Sequence, residues 1–159
     1  MVELSGTYQV PAARKAVYDA LQNPDVLRRC IEGCDQLTET EPGVYDAQLR
    51  LGLGAIRGRY TGRARVRDAH PPESFTLAVE GKGPGGHVRG DARLVLADLG
   101  HSTSIACQAT GDVAGALAAV GSRLIQVAAT RLMERFFSTL TEIVGGPPDP
   151  AIRAPAEPQ

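Results

Sequence analysis

Val2, Leu4, Tyr8 and Val10 recur at every second or fourth position, with Glu3, Ser5, Thr7 and Gln9 between them. The alternation predicts a strand over residues 1–10 with one buried face. Pro11 then stands where a helix can begin, and residues 12–21 are rich in helix formers. Asn23-Pro24 ends that helix, and a second short one is expected over residues 25–30. From Cys34 to about Gly111 the period is two throughout. Strands are expected at 34–40 and 44–53, joined by the turn sequence Glu41-Pro42-Gly43. Further strands are expected at 56–67, 74–80, 87–97 and 103–111, the middle two flanking the glycine-rich run Gly81 to Gly86. Closely spaced strands with short turns predict an antiparallel meander.

The period changes in the last third. Leu117, Val120, Leu124, Ala128, Leu132, Phe136, Leu140 and Ile143 fall at three- and four-residue spacing, which predicts one apolar stripe on a single long helix over 114–144. Gly145-Gly146-Pro147-Pro148 stops it, and the Pro- and Ala-rich remainder to Gln159 is expected to be disordered. The expected fold is therefore α+β, with one domain over residues 1–145 and a tail over 146–159. A curved antiparallel sheet wraps the long C-terminal helix, and two short helices follow the first strand. Strand glycines such as Gly62 and Gly90 allow the sheet to bend.

Strand parity decides what faces the helix. Ile56, Tyr60, Gly62, Ala64 and Val66 share one face, as do Val88, Gly90, Ala92, Leu94 and Leu96, and again Ile105, Cys107, Ala109 and Gly111. The middle of each inward face carries glycine, alanine or cysteine. Only 4% of residues are aromatic and tryptophan is absent, so large fillers are scarce. Empty apolar volume costs about 24 cal/mol per Å³, so either the helix lies unusually close to the sheet or a ligand occupies the gap. The ligand reading places an apolar pocket among Leu49, Leu51, Tyr60, Gly62, Phe75, Leu77, Val88 and Gly90 of the sheet. Leu94, Ile105 and Cys107 extend it, and Leu117, Gly121, Leu124 and Ala128 close it from the helix side. Tyr60 is the candidate polar group, although a lone strand tyrosine is more often plain core.

Charge matters only locally, because the net charge is −1 and gives no reason to expect nucleic acid. Arg57, Arg59, Arg63, Arg65 and Arg67 have the parity opposite to Tyr60, with Arg50 beside them on the preceding strand. No acid interrupts the sequence from Arg50 to Arg67. They are expected on the convex face, either as a solvated surface or as a docking face for an acidic protein or anionic lipid. Aromatic stacking residues are not interleaved there, which disfavours single-stranded nucleic acid.

Candidate chemistry is thin. Cys30 and Cys34 have C-x3-C spacing, yet no second Cys or His pair accompanies them, so free thiols are expected rather than a metal site. His70, His87 and His101 fall at turns or strand starts. The run Gly81 to Gly86 lies between two strands, which denies it the strand-to-helix context of a phosphate-binding loop. It reads instead as a mobile hairpin able to cover the pocket mouth. No nucleophile elbow or metal-binding helix motif occurs, so no catalytic residues are expected. The chain opens without a basic n-region or apolar h-region and has no run of about 20 apolar residues, which leads us to expect a cytoplasmic location.

Several segments together resemble a known family. These are Gly6-Thr7-Tyr8-Gln9-Val10-Pro11-Ala12, Asn23-Pro24-Asp25-Val26-Leu27 and Cys30-Ile31-Glu32-Gly33-Cys34. The stretch from Leu51 to Gly62, Pro71-Pro72, the Gly81 to Gly90 run and Gly121-Ser122-Arg123-Leu124-Ile125 also fit. In order and spacing they resemble the CoxG family of carbon monoxide dehydrogenase subunits, within the START-like (SRPBCC) superfamily of helix-grip proteins, from Leu4 to about Val144. Glu32 departs from the pattern, where proline is expected before Gly-Cys. The resemblance implies a non-catalytic accessory protein that links a molybdenum hydroxylase of the carbon monoxide dehydrogenase type to the inner face of the membrane. It further implies a lipophilic guest such as a quinone and no tightly bound cofactor. Two alternatives stay open: a ligand-free adaptor that docks through the arginine face, and a START-like enzyme using Tyr60 as an acid.

Overall fold

The computed structural model describes residues 2–54 and 56–145 of the 159. The element order is β1 (Val2–Val10), α1 (Arg14–Ala20), α2 (Pro24–Cys30), β2 (Cys34–Glu41), β3 (Val44–Leu53), β4 (Ile56–His70), β5 (Ser74–Gly83), β6 (Gly86–Asp98), β7 (Thr103–Ala114), a 3-10 helix (Gly115–Val120) and α3 (Ser122–Val144). The expected tail over 146–159 lies outside the described residues.

All seven strands form one antiparallel sheet in the order β1-β7-β6-β5-β4-β3-β2. From β2 to β7 this is a meander of hairpins, and β1 closes onto β7, pairing Val2 with Gly111 and Val10 with Thr103. The strands run longer than the sequence predicts. β4 continues to His70 and β5 to Gly83, because the ladder hydrogen bonds persist past the last hydrophobic residue of each strand.

Asn23 shows why the short helices start where they do. Its side-chain oxygen accepts the amides of Asp25 (2.9 Å) and Val26 (3.2 Å), and Pro24 occupies the first turn, where its missing N–H costs nothing. α1 and α2 then bury Val17, Tyr18, Leu27 and Cys30.

The predicted single helix over 114–144 is two elements. Gly121 takes φ +100°, a conformation that α-helical residues do not adopt, so a 3-10 helix ends there and α3 begins at Ser122. The break rotates the apolar stripe. Ala128, Phe137 and Leu140 are the buried residues of α3, Phe136 is half-buried, and Leu124 is 56% exposed. Among the described residues no helix is long and apolar enough to cross a membrane.

The core is in two parts. One cluster, at the end capped by α1, gathers Val10, Val17, Phe75, Leu96, Ile105, Phe137 and Leu140 with their neighbours. The other, at the opposite end, is built on Ile56, Tyr60, Leu117 and Ala128.

Candidate ligand-binding site

Between the two clusters the inner face of the sheet is paved with small residues. The register sets Tyr45, Ala64, Val79, Gly90 and Gly111 side by side across five strands. One step along, Ala47, Gly62 and Gly81 are neighbours, and on the other side Ala92 and Ala109 are. Ala47, Gly62, Ala64, Val79, Gly81, Gly90, Ala109 and Gly111 belong to neither cluster, and each is only half-buried although it faces inward. Together they make a floor of small residues, a trough between the clusters, over which Leu49 reaches: its Cδ1 lies 3.4 Å from a Cβ placed on Gly62.

One end of the trough is solid. The rings of Tyr8 on β1 and Phe137 on α3 stack at 4.3 Å, and Phe75 meets Tyr18 edge-on at 5.4 Å. Phe75, Leu94, Ile105 and Cys107, expected to line the pocket, sit buried in this cluster and form the end wall. Leu77 is half-buried at its border.

The other end is closed by three chain segments that hold one another. The Leu117 amide donates to the Gly85 carbonyl, so the 3-10 helix is tied to the β5–β6 turn. Gly83 lies flat on the Tyr60 ring, and a Cβ there would overlap it. Gly86 has φ +131°, and a Cβ on it would collide with the Ala114 carbonyl oxygen. The glycine run expected to be a mobile cover is thus clamped by backbone contacts that only glycine permits. Leu49, Leu51 and Val88 pack against this cluster and remain half-buried, while Tyr60, Leu117 and Ala128 are buried in it. Tyr60 is 6% exposed, and among the described residues its hydroxyl has no hydrogen-bond partner.

Gly121 and Leu124 do not line the floor as expected. No atom lies within 4 Å of a Cβ placed on Gly121, and Leu124 is turned outward with Val127, which is 62% exposed. Their side of α3 is set by Arg131, two turns further on the same face, whose guanidinium reaches Glu32 at 3.1 Å. Glu32 precedes Gly33, whose carbonyl accepts the Arg50 amide of β3 at 2.7 Å. β2 runs out beside Arg50, since its first residue, Cys34, pairs with Leu49, and Leu51 and Leu53 beyond it pack against the second cluster.

The six arginines are all exposed on the outer face, but they are not a bare cationic patch. Arg63 donates to Asp46 at 2.8 Å, Arg50 lies 3.7 Å from Asp35 and Arg67 lies 3.9 Å from Asp91. The hydrogen bond from Arg63 holds the Asp46 carboxyl below its ordinary range. Across the strands, register places Asp46, Arg63, Glu80, Arg89 and Asp112 in one row of alternating sign. The sequence concealed this because each acid is on a different strand from the arginine it opposes. A concavity of about 510 Å³ beside β1, with Ala109, Gln126 and Thr130 on its wall, and one of about 610 Å³ over Thr38, Gln48, Thr61 and Lys82 on the outer face, where Ala47, Gly62 and Gly81 are also reached, are mainly polar.

Cys30 and Cys107 are buried thiols and Cys34 is half-buried. Burial pushes Cys30 up to about 11, against a smaller opposing pull from Arg29. Among the described residues no group of His, Cys, Asp and Glu is arranged to hold a metal ion. His70, His87 and His101 are exposed, away from the trough floor.

Comparison with solved structures agrees with this architecture. A conserved protein from Geobacillus kaustophilus superposes with a TM-score of 0.86 at 27% identity, covering 91% of this chain and 95% of that one. A START superfamily protein from Mycobacterium smegmatis superposes at 0.71 with 11% identity, covering 90% of this chain and 97% of that one. The di-domain ARO/CYC protein BexL from the BE-7585A biosynthetic pathway superposes at 0.61 with 12% identity, covering 89% of this chain and 49% of that one. The latter two show the fold alone, an α+β sheet and helix of START type. A comparison with curated proteins found no match. The CoxG family, named for a subunit of carbon monoxide dehydrogenase, matches residues 6–145, nearly the whole described domain, and the chain belongs to it.

Proposed function

We propose that this protein is a non-catalytic accessory protein that carries a lipophilic small molecule, a quinone, in the inner trough. In that role it links a carbon monoxide dehydrogenase-type molybdenum hydroxylase to the membrane. The family supports the accessory role. What supports the ligand is the floor of small, half-buried Gly62, Ala64, Val79, Gly90 and Ala109, which neither packed cluster includes. Burying such surface against a guest is favourable at about 25 cal/mol per Å². Tyr60 supplies the polar contact, because its hydroxyl has no partner among the described residues and would donate to a quinone carbonyl.

The test is organic extraction and native mass spectrometry of the protein purified from its own host. The expected result is one equivalent of a quinone or similar lipid. A protein that emerges empty, and takes up no quinone when titrated with one, contradicts the proposal. The adaptor that docks through the outer arginines has less support, because Arg50, Arg63 and Arg67 already have acidic partners.

A further inference from the structure

The charged residues are unevenly divided between the two ends of the sheet. At one end the β3–β4 turn, the β5–β6 turn and the 3-10 helix with the start of α3 meet. Gly58 there lies against Pro84, and Leu117 is bonded to Gly85. Residues 52–59, 82–88 and 113–127, which make up this end, contain Arg57, Arg59, Lys82 and Arg123 and no aspartate or glutamate. All four cations are exposed, and among the described residues no ion pair involves them. The neighbouring acids Glu80 and Asp112 stand opposite Arg63 and Arg89 in the outer row. The strand ends and turns at the other end carry Glu39, Glu41, Asp68, Glu73 and Asp98.

Of the four large apolar side chains exposed among the described residues, Leu124 and Val127 lie at this acid-free end and Val95 and Leu99 at the other. Leu124 and Val127 are more than half exposed, and Ala116, Ala118 and Ala119 are exposed beside them. Large apolar residues left in water next to unpaired cations match the interfacial zone of a bilayer, which takes apolar groups below and cations at its headgroups. An acidic protein would match the cations but give no reason for the apolar rim.

We propose that this end, through Arg57, Arg59, Lys82 and Arg123 with Leu124 and Val127, docks on an anionic lipid bilayer. The inference deepens the membrane link proposed above by naming its surface. It does not require that a guest be bound.

Sedimentation of the full chain with vesicles tests it. Phosphatidylglycerol-containing vesicles should bind the protein, and purely zwitterionic ones should bind it at least about tenfold more weakly. Arg57→Glu/Arg59→Glu should lower the partition coefficient more than about tenfold. Leu124→Asp/Val127→Asp should lower it as well, although both residues are exposed and the fold tolerates the change. The charge-matched control Arg65→Glu/Arg135→Glu, on other surfaces, should bind as the parent does. Failure to bind anionic vesicles, or equal loss in the control and the test variants, overturns the proposal. Lipid extraction from the same preparations separates the two claims: a loaded protein that ignores vesicles sinks the docking face alone, and an empty protein that binds them sinks the guest alone.

Discussion

The ring of Tyr8 on the edge strand β1 lies parallel to that of Phe137 on α3, with centroids 4.3 Å apart and planes 15° apart. This pair fixes how far α3 stands from the sheet at the end capped by α1, and it forms part of the wall against which a guest would stop. Phe137 is 3% exposed, so Phe137→Ala should cost about 3–5 kcal/mol in a denaturant titration. A loss below about 1 kcal/mol would mean that the stack does not hold the helix.

The β5–β6 turn is predicted to be rigid. Gly86→Ala drives a methyl group into the Ala114 oxygen at φ +131°, and should destabilise the domain by about 1–3 kcal/mol. Hydrogen exchange of the Leu117 amide should accelerate in that variant, because the Gly85 carbonyl it bonds is displaced. Unchanged exchange at Leu117 would show that the turn is not a clamp.

Much of this was readable in the sequence, and the failures have identifiable causes. Alternation along β1, β3 and β6 revealed the strand faces because side-chain parity is a local property. Gly62, Ala64, Gly90 and Ala109 could be placed on the inner face for the same reason. The helix stripe was misjudged because Gly121, with its positive φ, shifts the phase of the period at one residue. Leu124 therefore turns outward and Phe137, rather than Phe136, is buried. Asp46 and Arg63 are 17 residues apart, and only the register of β3 on β4 brings them together, so the arginine run looked bare. The glycines at 83 and 86 read as freedom; contacts with Tyr60 and Ala114, distant in the chain, make them constraints.

Alkaline pH should weaken the fold. Burial raises Cys30 from 9.0 to about 11, and burial with a smaller contribution from Glu39 raises Tyr45 from 10.0 to about 12. Both groups are acids that the folded state keeps protonated after the unfolded chain would release its proton. Their contribution is present in full below about pH 9 and is lost as pH rises from there to about 12. For Cys30 alone the loss is about 1–2 kcal/mol once solvent screening is allowed for. Stability measured by urea unfolding between about pH 8 and pH 11 should fall, and that of Cys30→Ala should fall less steeply; a flat profile would contradict the assignment.

Filling the trough tests its existence most directly. Ala64 and Ala109 lie half-buried on the inner face outside both clusters, so Ala64→Phe/Ala109→Phe places two rings over the proposed trough. The account predicts a melting temperature equal to or above that of the parent, together with the loss of any extractable lipid. In a close-packed interior the same rings would cost about 1–3 kcal/mol each through overpacking. A variant destabilised on that scale, or one that still carries its guest, would contradict the account.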